Sequence, residues 1–293
     1  MRSVVKMFSF NFELDGAVAP ASAAPSPAPK ASTPMRRGER FVCSPSSSLN
    51  AFSAVQIDDM AFEIVNTTDA GFLARTGAIS SILTTSDVQT GVYEGGFKLW
   101  ECAVDLVKFV EDQIRQGKVQ MPASVLELGC GHGLPGIHAM QRGAQRVVFS
   151  DYNKEVLELT TCPNVLRNVK DEKMYSKAEF YAGAWSSMSQ YMKEVELLSE
   201  EQMQFDLILT AETIYTEDVA VELYQTIKRH LRRSPNSRAL VAAKKYYFGT
   251  NGSVQHFVGL VQADGVFKAE TVWEERDCRS NIREIVELTY AEV

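Results

Sequence analysis

The chain has 293 residues, 45% of them hydrophobic and 23% charged, with a net charge of −7 at pH 7. That length can bury a full core and carry extensions to one large domain, and the composition is that of an ordinary soluble globular protein. The acidic balance argues against a general binder of nucleic acid or anionic membrane, leaves room for a basic protein substrate, and no apolar run approaches the length of a membrane span.

Residues Met1 to Asp15 fit neither a secretory signal nor a transit peptide. Phe8, Phe10 and Phe12 alternate there, as in a short strand or a docking element. Ala, Pro and Ser dominate from about Ala17 to Ser48, which predicts a disordered leader over residues 1–50. Within it, Met35-Arg36-Arg37-Gly38-Glu39-Arg40 reads as a solvated linker charge group before it reads as a nuclear address. Residues 51–120 are expected to form an N-terminal extension packed on the core, in which Leu99, Ala103, Leu106, Val107 and Val110 keep a helical period.

From residue 121 to 293 strands and helices alternate. Strands are predicted at Ser124–Leu128, Arg146–Ser150, Glu179–Ala182, Phe205–Thr210 and Arg238–Ala243. Helices are predicted near Pro135–Arg142, Lys154–Val169 (interrupted at Pro163) and Thr216–Arg232. The last has Thr216 as its cap, Glu217 and Asp218 in its first turn, and Val219, Leu223, Ile227 and Leu231 as its buried stripe. Lys228, Arg229, Arg232 and Arg233 gather at its end, where the helix dipole accounts for them without nucleic acid. A helix beyond Asn251 and strands near Val266–Trp273 and Ile285–Tyr290 complete the pattern. The order predicts an α/β fold: a Rossmann-like sheet of seven strands, mostly parallel with an antiparallel C-terminal edge, and helices on both faces. Ligands in such sheets bind at the carboxyl ends of the strands.

At the first of those ends stands Glu127-Leu128-Gly129-Cys130-Gly131-His132-Gly133. Gly129, Gly131 and Gly133 can take positive φ and let a ligand lie against backbone, with unpaired helix N–H groups facing it. Glu127 would repel a dinucleotide pyrophosphate but attract the α-ammonium of S-adenosylmethionine. Asp151 ends the next strand at the distance suited to a ribose diol. The competing G-x-G-x-x-G of Gly131 to Gly136 begins too late after the strand for a nicotinamide site and leaves Glu127 unexplained; a plain structural turn is the remaining alternative.

Gly183-Ala184-Trp185 follows the third strand, where Trp185 covers an adenine ring or packs at the rim. Asn153 is expected to cap the helix after the second strand. Thr210-Ala211-Glu212-Thr213-Ile214-Tyr215 puts an acid and a phenol three residues apart after the fourth, where a transferable methyl would point. Lys244-Lys245-Tyr246-Tyr247-Phe248-Gly249 follows the fifth and either shapes a peptide groove or packs as an aromatic loop. Five singly spaced cysteines point to reduced thiols and a cytosolic or nuclear setting, not a disulfide frame or zinc site. His132 and His138 read as loop and helix surface, and no metal is expected.

The run Thr90-Gly91-Val92-Tyr93-Glu94-Gly95-Gly96-Phe97-Lys98-Leu99-Trp100-Glu101-Cys102, the glycine loop, Asp151-Tyr152-Asn153, Cys162-Pro163-Asn164-Val165 and the stretch Phe205 to Tyr215 resemble the protein-histidine N-methyltransferases acting on a large-subunit ribosomal protein. The resemblance spans about Ser86 to Glu287, and the Phe8 to Phe12 start is similar enough to suggest Met7 as initiator. It implies S-adenosyl-L-methionine as cofactor, the tele nitrogen as the methylated atom and a protein substrate; a monomer and a cytoplasmic and nuclear location are expected beside it. It also implies a donor pocket lined by Leu99, Trp100, Glu101, Cys102, Gly129, Asp151, Tyr152, Gly183, Ala184, Trp185 and Ala211. Ala211 replaces the serine usual in the family, so only a backbone contact remains there; Glu127 replaces a frequent Asp with the same charge. Glu212 is expected to fix the acceptor ring's tautomer as catalytic carboxylate, and Tyr215 to help hold the ring. A lysine N-methyltransferase and a silent donor-binding ribosome-assembly factor are the alternatives.

Overall fold

The computed structural model describes residues 35–43, 51–83, 85–276 and 281–292; Met7, Phe8, Phe10, Phe12 and Cys278 lie outside them. The elements begin with β1 (Glu39–Phe41), the hairpin β2 (Phe52–Ile57) and β3 (Met60–Val65), α1 (Ala70–Leu73), α2 (Ser80–Leu83) and α3 (Glu101–Arg115). The alternating region follows as β4 (Ser124–Leu128), α4 (Leu134–Gln141), β5 (Arg146–Asp151), α5 (Lys154–Val156), a π-turn (Leu157–Thr161), α6 (Cys162–Asn168), α7 (Glu172–Tyr175), β6 (Ala178–Ala182) and α8 (Trp185–Glu194). It closes with β7 (Leu207–Ala211), α9 (Glu217–His230), β8 (Arg238–Lys244), α10 (Val254–Asp264), β9 (Phe267–Glu275) and β10 (Arg283–Tyr290).

The main sheet runs β1-β6-β5-β4-β7-β8-β10-β9. The five strands from β6 to β8 are parallel, and β10 lies antiparallel between β8 and β9. The seven expected strands are β4 to β10, and β1 adds an eighth, antiparallel to β6. Successive residues of the central strands feed opposite faces. Val125, Val147 and Leu209 join one core with Leu106, Val107 and Ile137, whereas Leu126, Val148 and Ile208 join another with Leu223, Tyr224 and Ile227. Burial on both faces explains the unbroken apolar runs, each such side chain contributing about 1.5–3 kcal/mol. Strand order reverses at β4 and β7, so the crevice at their carboxyl ends is where a ligand fits.

Several expectations are corrected. Residues 35–43, placed by composition in the disordered leader, form a strap along β6: Arg36 pairs with Glu155 at 2.8 Å, Ala184 N–H donates to the Arg36 carbonyl at 3.1 Å, and Arg40 reaches Glu196 at 3.3 Å. The basic cluster is therefore tied to the fold and not a free linker group. Cys43 and Cys162, expected as thiols, are joined in a disulfide with Cα atoms 5.9 Å apart. A pairing across 119 residues leaves no trace in cysteine spacing.

Pro163 does not interrupt its helix. The π-turn ahead of it, closed by the Cys162 N–H on the Leu157 carbonyl, carries the chain from α5 into α6. The proline thereby sits in the first turn of α6, where its missing N–H costs little. His132 and His138 are buried, not surface residues. His138 Nε2 lies 2.9 Å from Glu111, which also accepts from Arg115 and Arg142, so a buried carboxylate draws the ring inward. The cations ending α9 are engaged, Lys228 with Asp264 and Arg232 with Asp206.

Candidate active site

A cavity of about 410 Å³ opens at the carboxyl ends of β4 to β7. Leu99, Trp100, Glu127, Gly129, Gly131, Gly133, Asp151, Tyr152, Gly183, Ala184, Trp185, Ala211, Glu212 and Tyr215 all line it. Two sequence-named residues do not. Glu101 is exposed on the first turn of α3, and Cys102 is buried behind the wall beside Glu212.

The glycine loop needs its glycines. Gly129, Gly131 and Gly133 have φ of 63°, 50° and 73°. A Cβ on Gly129 would meet Thr213 Cγ2 at 2.6 Å, and one on Gly133 would meet Thr161 Cγ2 at 2.9 Å. Glu127 turns under the loop and accepts from Gly136 N–H at 2.8 Å in the first turn of α4. The Glu127 carboxyl, which burial pushes well above its usual range, thus fills the anion slot of that helix, a further reason no phosphate belongs there. Asp151 accepts from the N–H groups of Gly131 and Asn153, each at 3.0 Å. Burial pushes its carboxyl up to about 6, and those two hydrogen bonds pull the other way. His132, driven down to about 4 by burial, is neutral: Nε2 meets the Phe97 carbonyl at 3.0 Å and Nδ1 meets Asn164 at 3.3 Å. It links the glycine loop to the segment before α3.

That segment, Thr90 to Trp100, forms the opposite wall. Asn153 stands at the N-cap of α5 as expected, but its side chain holds this segment and not the helix: Oδ1 accepts from Glu94 N–H at 3.0 Å and Nδ2 donates to the Val92 carbonyl at 2.8 Å. Trp100 donates to the Gly95 carbonyl at 3.0 Å and lies between two cations, Lys98 at 4.6 Å and Lys244 at 5.0 Å from its ring. Glu212 takes φ 59° directly after β7, a strained conformation for a side chain of its size. Both its carboxylate oxygens are closed to solvent, with Lys244 Nζ 3.4 Å away and the Cys102 thiol and Tyr247 phenol beside them, each pushed up by burial and by this carboxylate. Tyr215 crosses the mouth and donates its phenol to Glu94. The loop after β8 divides accordingly: Lys244 and Tyr247 turn inward, whereas Tyr246 and Phe248 are exposed.

Sequence reasoning did not single out Glu94, Lys98, Asp218, Glu222 or Met35 as cavity residues. The signal for Glu94 was present, since it stands inside Val92-Tyr93-Glu94-Gly95-Gly96. Nothing in the sequence marks Met35, which the strap delivers. Among the described residues no group of His, Cys, Asp and Glu is placed to hold a metal, and no helix is long and apolar enough to cross a membrane.

A glycine cradle, two buried carboxylates at adjacent strand ends and an aromatic rim define a methyl-donor site. The chain belongs to a methyltransferase family: the family model described as lysine methyltransferase matches residues 82–263. Among its relatives, the histidine protein methyltransferase 1 homolog of Dictyostelium discoideum is 38% identical over 209 residues, 71% of this chain and 62% of that protein. The homolog of Mus musculus is 38% identical over 213 residues, 66% of this chain and 56% of that protein. The protein N-terminal and lysine N-methyltransferase efm7 of Schizosaccharomyces pombe is 26% identical over 183 residues, 61% of this chain and 67% of that protein. The chain spans less than two thirds of the length of the histidine methyltransferase relatives. The cofactor is S-adenosyl-L-methionine, and the cavity fits it: the glycines admit a ligand to backbone contact, and Asp151 stands where a ribose diol is recognised.

Proposed function

We propose that this protein is an S-adenosylmethionine-dependent protein-histidine N-methyltransferase whose substrate is a large-subunit ribosomal protein. The observation that carries the proposal is one continuous cavity in which the donor cradle meets a second wall of Glu94, Trp100 and Tyr215, together with 38% identity to the two histidine methyltransferase homologs above against 26% to efm7. When bound, the donor supplies an electrophilic methyl on a sulfonium. Asp151 takes its ribose hydroxyls, Glu127 attracts its ammonium, Trp185 covers the adenine, and Leu99 and the Ala211 backbone complete the pocket. An imidazole of pKa about 6.5 is mostly neutral at pH 7 and needs no strong base before attack. Its placement matters more, with the attacking nitrogen about 3–3.5 Å from the methyl and in line with the sulfur. Tyr215 meets the acceptor ring, and Glu212 braces the wall from behind through Lys244. We take the tele nitrogen as the methylated atom and the monomer as the working form.

A second reading, protein-lysine N-methyltransferase, is favoured by the family description and by efm7. Labelled donor, the protein and a lysate from cells lacking it decide between them. Methylhistidine on a ribosomal protein supports the first reading; methyl-lysine alone overturns it.

A further inference from the structure

We infer that Glu94 is the carboxylate that receives the acceptor ring, accepting a hydrogen bond from the nitrogen that is not methylated. This rests on the histidine reading above and assigns the residue that makes the site select imidazole.

Six carboxylates line the cavity, and of these Glu94 is the one hydrogen-bonded to Tyr215. Glu127 is turned onto Gly136 N–H under the glycine loop. Asp151 is engaged by two backbone N–H groups at the ribose position. Glu222 accepts from the Ser186 N–H at 3.2 Å and hydroxyl at 3.1 Å, one residue on from Trp185. Asp218 is exposed on the first turn of α9, where it complements the helix dipole. Glu212 is closed to solvent and faces Lys244.

Glu94 is half-buried at the cavity wall. One oxygen accepts from Gly91 N–H at 2.5 Å and the other from the Tyr215 phenol. Burial and this carboxylate push the phenol well above its usual range, so Tyr215 stays protonated and donates. The backbone of Glu94 is fixed as well. Asn153 holds its N–H, Gly95 beside it takes φ 85°, and a Cβ on Gly96 would meet Val156 at 2.7 Å. The carboxylate is therefore set in place before any substrate arrives, the arrangement that stabilises developing charge most effectively.

In the transfer, the unprotonated ring nitrogen forms a bond to the methyl carbon as the carbon–sulfur bond breaks, and that electron pair stays on sulfur. The positive charge moves to the ring, which keeps its proton on the other nitrogen against Glu94. The proton passes to water after the product leaves. A lysine would enter as an ammonium, and a fixed carboxylate beside it would hold its proton and withhold the lone pair. The same group thus assists imidazole and hinders an amine.

The test uses the full chain, the Glu94→Gln and Tyr215→Phe variants, labelled donor with lysate from cells lacking the protein, and calorimetry with S-adenosylhomocysteine. Glu94→Gln should cut histidine methylation by about 100-fold or more, as removal of a preorganised charge partner does, and Tyr215→Phe by roughly tenfold. Adenosylhomocysteine affinity should stay within about twofold of wild type, since the ribose and cradle contacts are untouched. A rate within about threefold of wild type, or an equal loss of adenosylhomocysteine affinity, overturns the assignment. If Glu94→Gln fails to fold, Glu94→Asp keeps the charge one methylene short: a rate loss of roughly tenfold with affinity unchanged supports the role, and an unchanged rate overturns it. Methyl-lysine from the wild type would instead remove the histidine reading itself, before any variant is compared.

Discussion

At the donor end of the cavity the carboxylates of Glu127 and Asp151 are held by backbone N–H groups of the loops beside them. At the acceptor end, Glu94 meets Tyr215 across 121 residues and Glu212 faces Lys244 from the next strand. The donor end is built on the backbone of the glycine loop and the strand ends beside it. The acceptor end exists only because separate segments bring side chains together. Substitutions at the first should therefore alter donor affinity, and substitutions at the second should alter stability or transfer rate.

The largest effect expected is at Lys244. Lys244→Met leaves the Glu212 carboxylate buried without a counter-charge and should cost about 3–5 kcal/mol in urea unfolding, while donor affinity in the folded fraction changes little. A loss below about 1 kcal/mol would mean that the pair does not brace the wall. Asp151→Ala is next. Removing charged hydrogen bonds to the ribose should weaken donor binding about 100-fold by calorimetry.

A pH titration sharpens the contrast further. Asp151 rises from the ordinary 3.8 to about 6, and in the role proposed for it the charged form is the better acceptor for ribose hydroxyls. Donor affinity should fall about fivefold between pH 6 and 5, and Asp151→Asn should flatten that slope. For the donor-free protein the sign reverses. A raised carboxyl pKa makes the folded state bind the proton more tightly, so this group's contribution to stability is full below about pH 4 and declines as pH rises to about 6. The smallest effect belongs to the α9 cap, whose Thr216 Oγ1 accepts from Val219 N–H at 3.2 Å. Thr216→Ala should lower stability by about 1 kcal/mol and shift Tyr215, next to it in the chain, only slightly.

Much of the donor end was legible in the sequence. Gly129, Gly131 and Gly133 announce a turn that only glycine can make, and Asp151 ends an apolar run with an acid. The strands of the parallel sheet were placed within two residues, because a strand buried on both faces is an unbroken apolar run. His132 and His138 misled, since a histidine carries no sign of whether it will find a buried carbonyl or carboxylate. Residues 35–43 misled for a similar reason. A short Arg-rich stretch in a Pro- and Ala-rich leader looks solvated until Glu155 and the edge of β6 are present to pair with it.

What the amino-acid order determined alone was the α/β alternation, the mostly parallel sheet, the glycine cradle and the carboxylates under it, because periodicity, φ preference and strand ends are properties of a few neighbouring residues. The tertiary structure decided which acid faces the acceptor, which is sealed against Lys244, which cysteines pair and which edge the strap covers. Those contacts join residues far apart in the chain. Their free energy appears only after the loops between them are closed, so no local pattern encodes them.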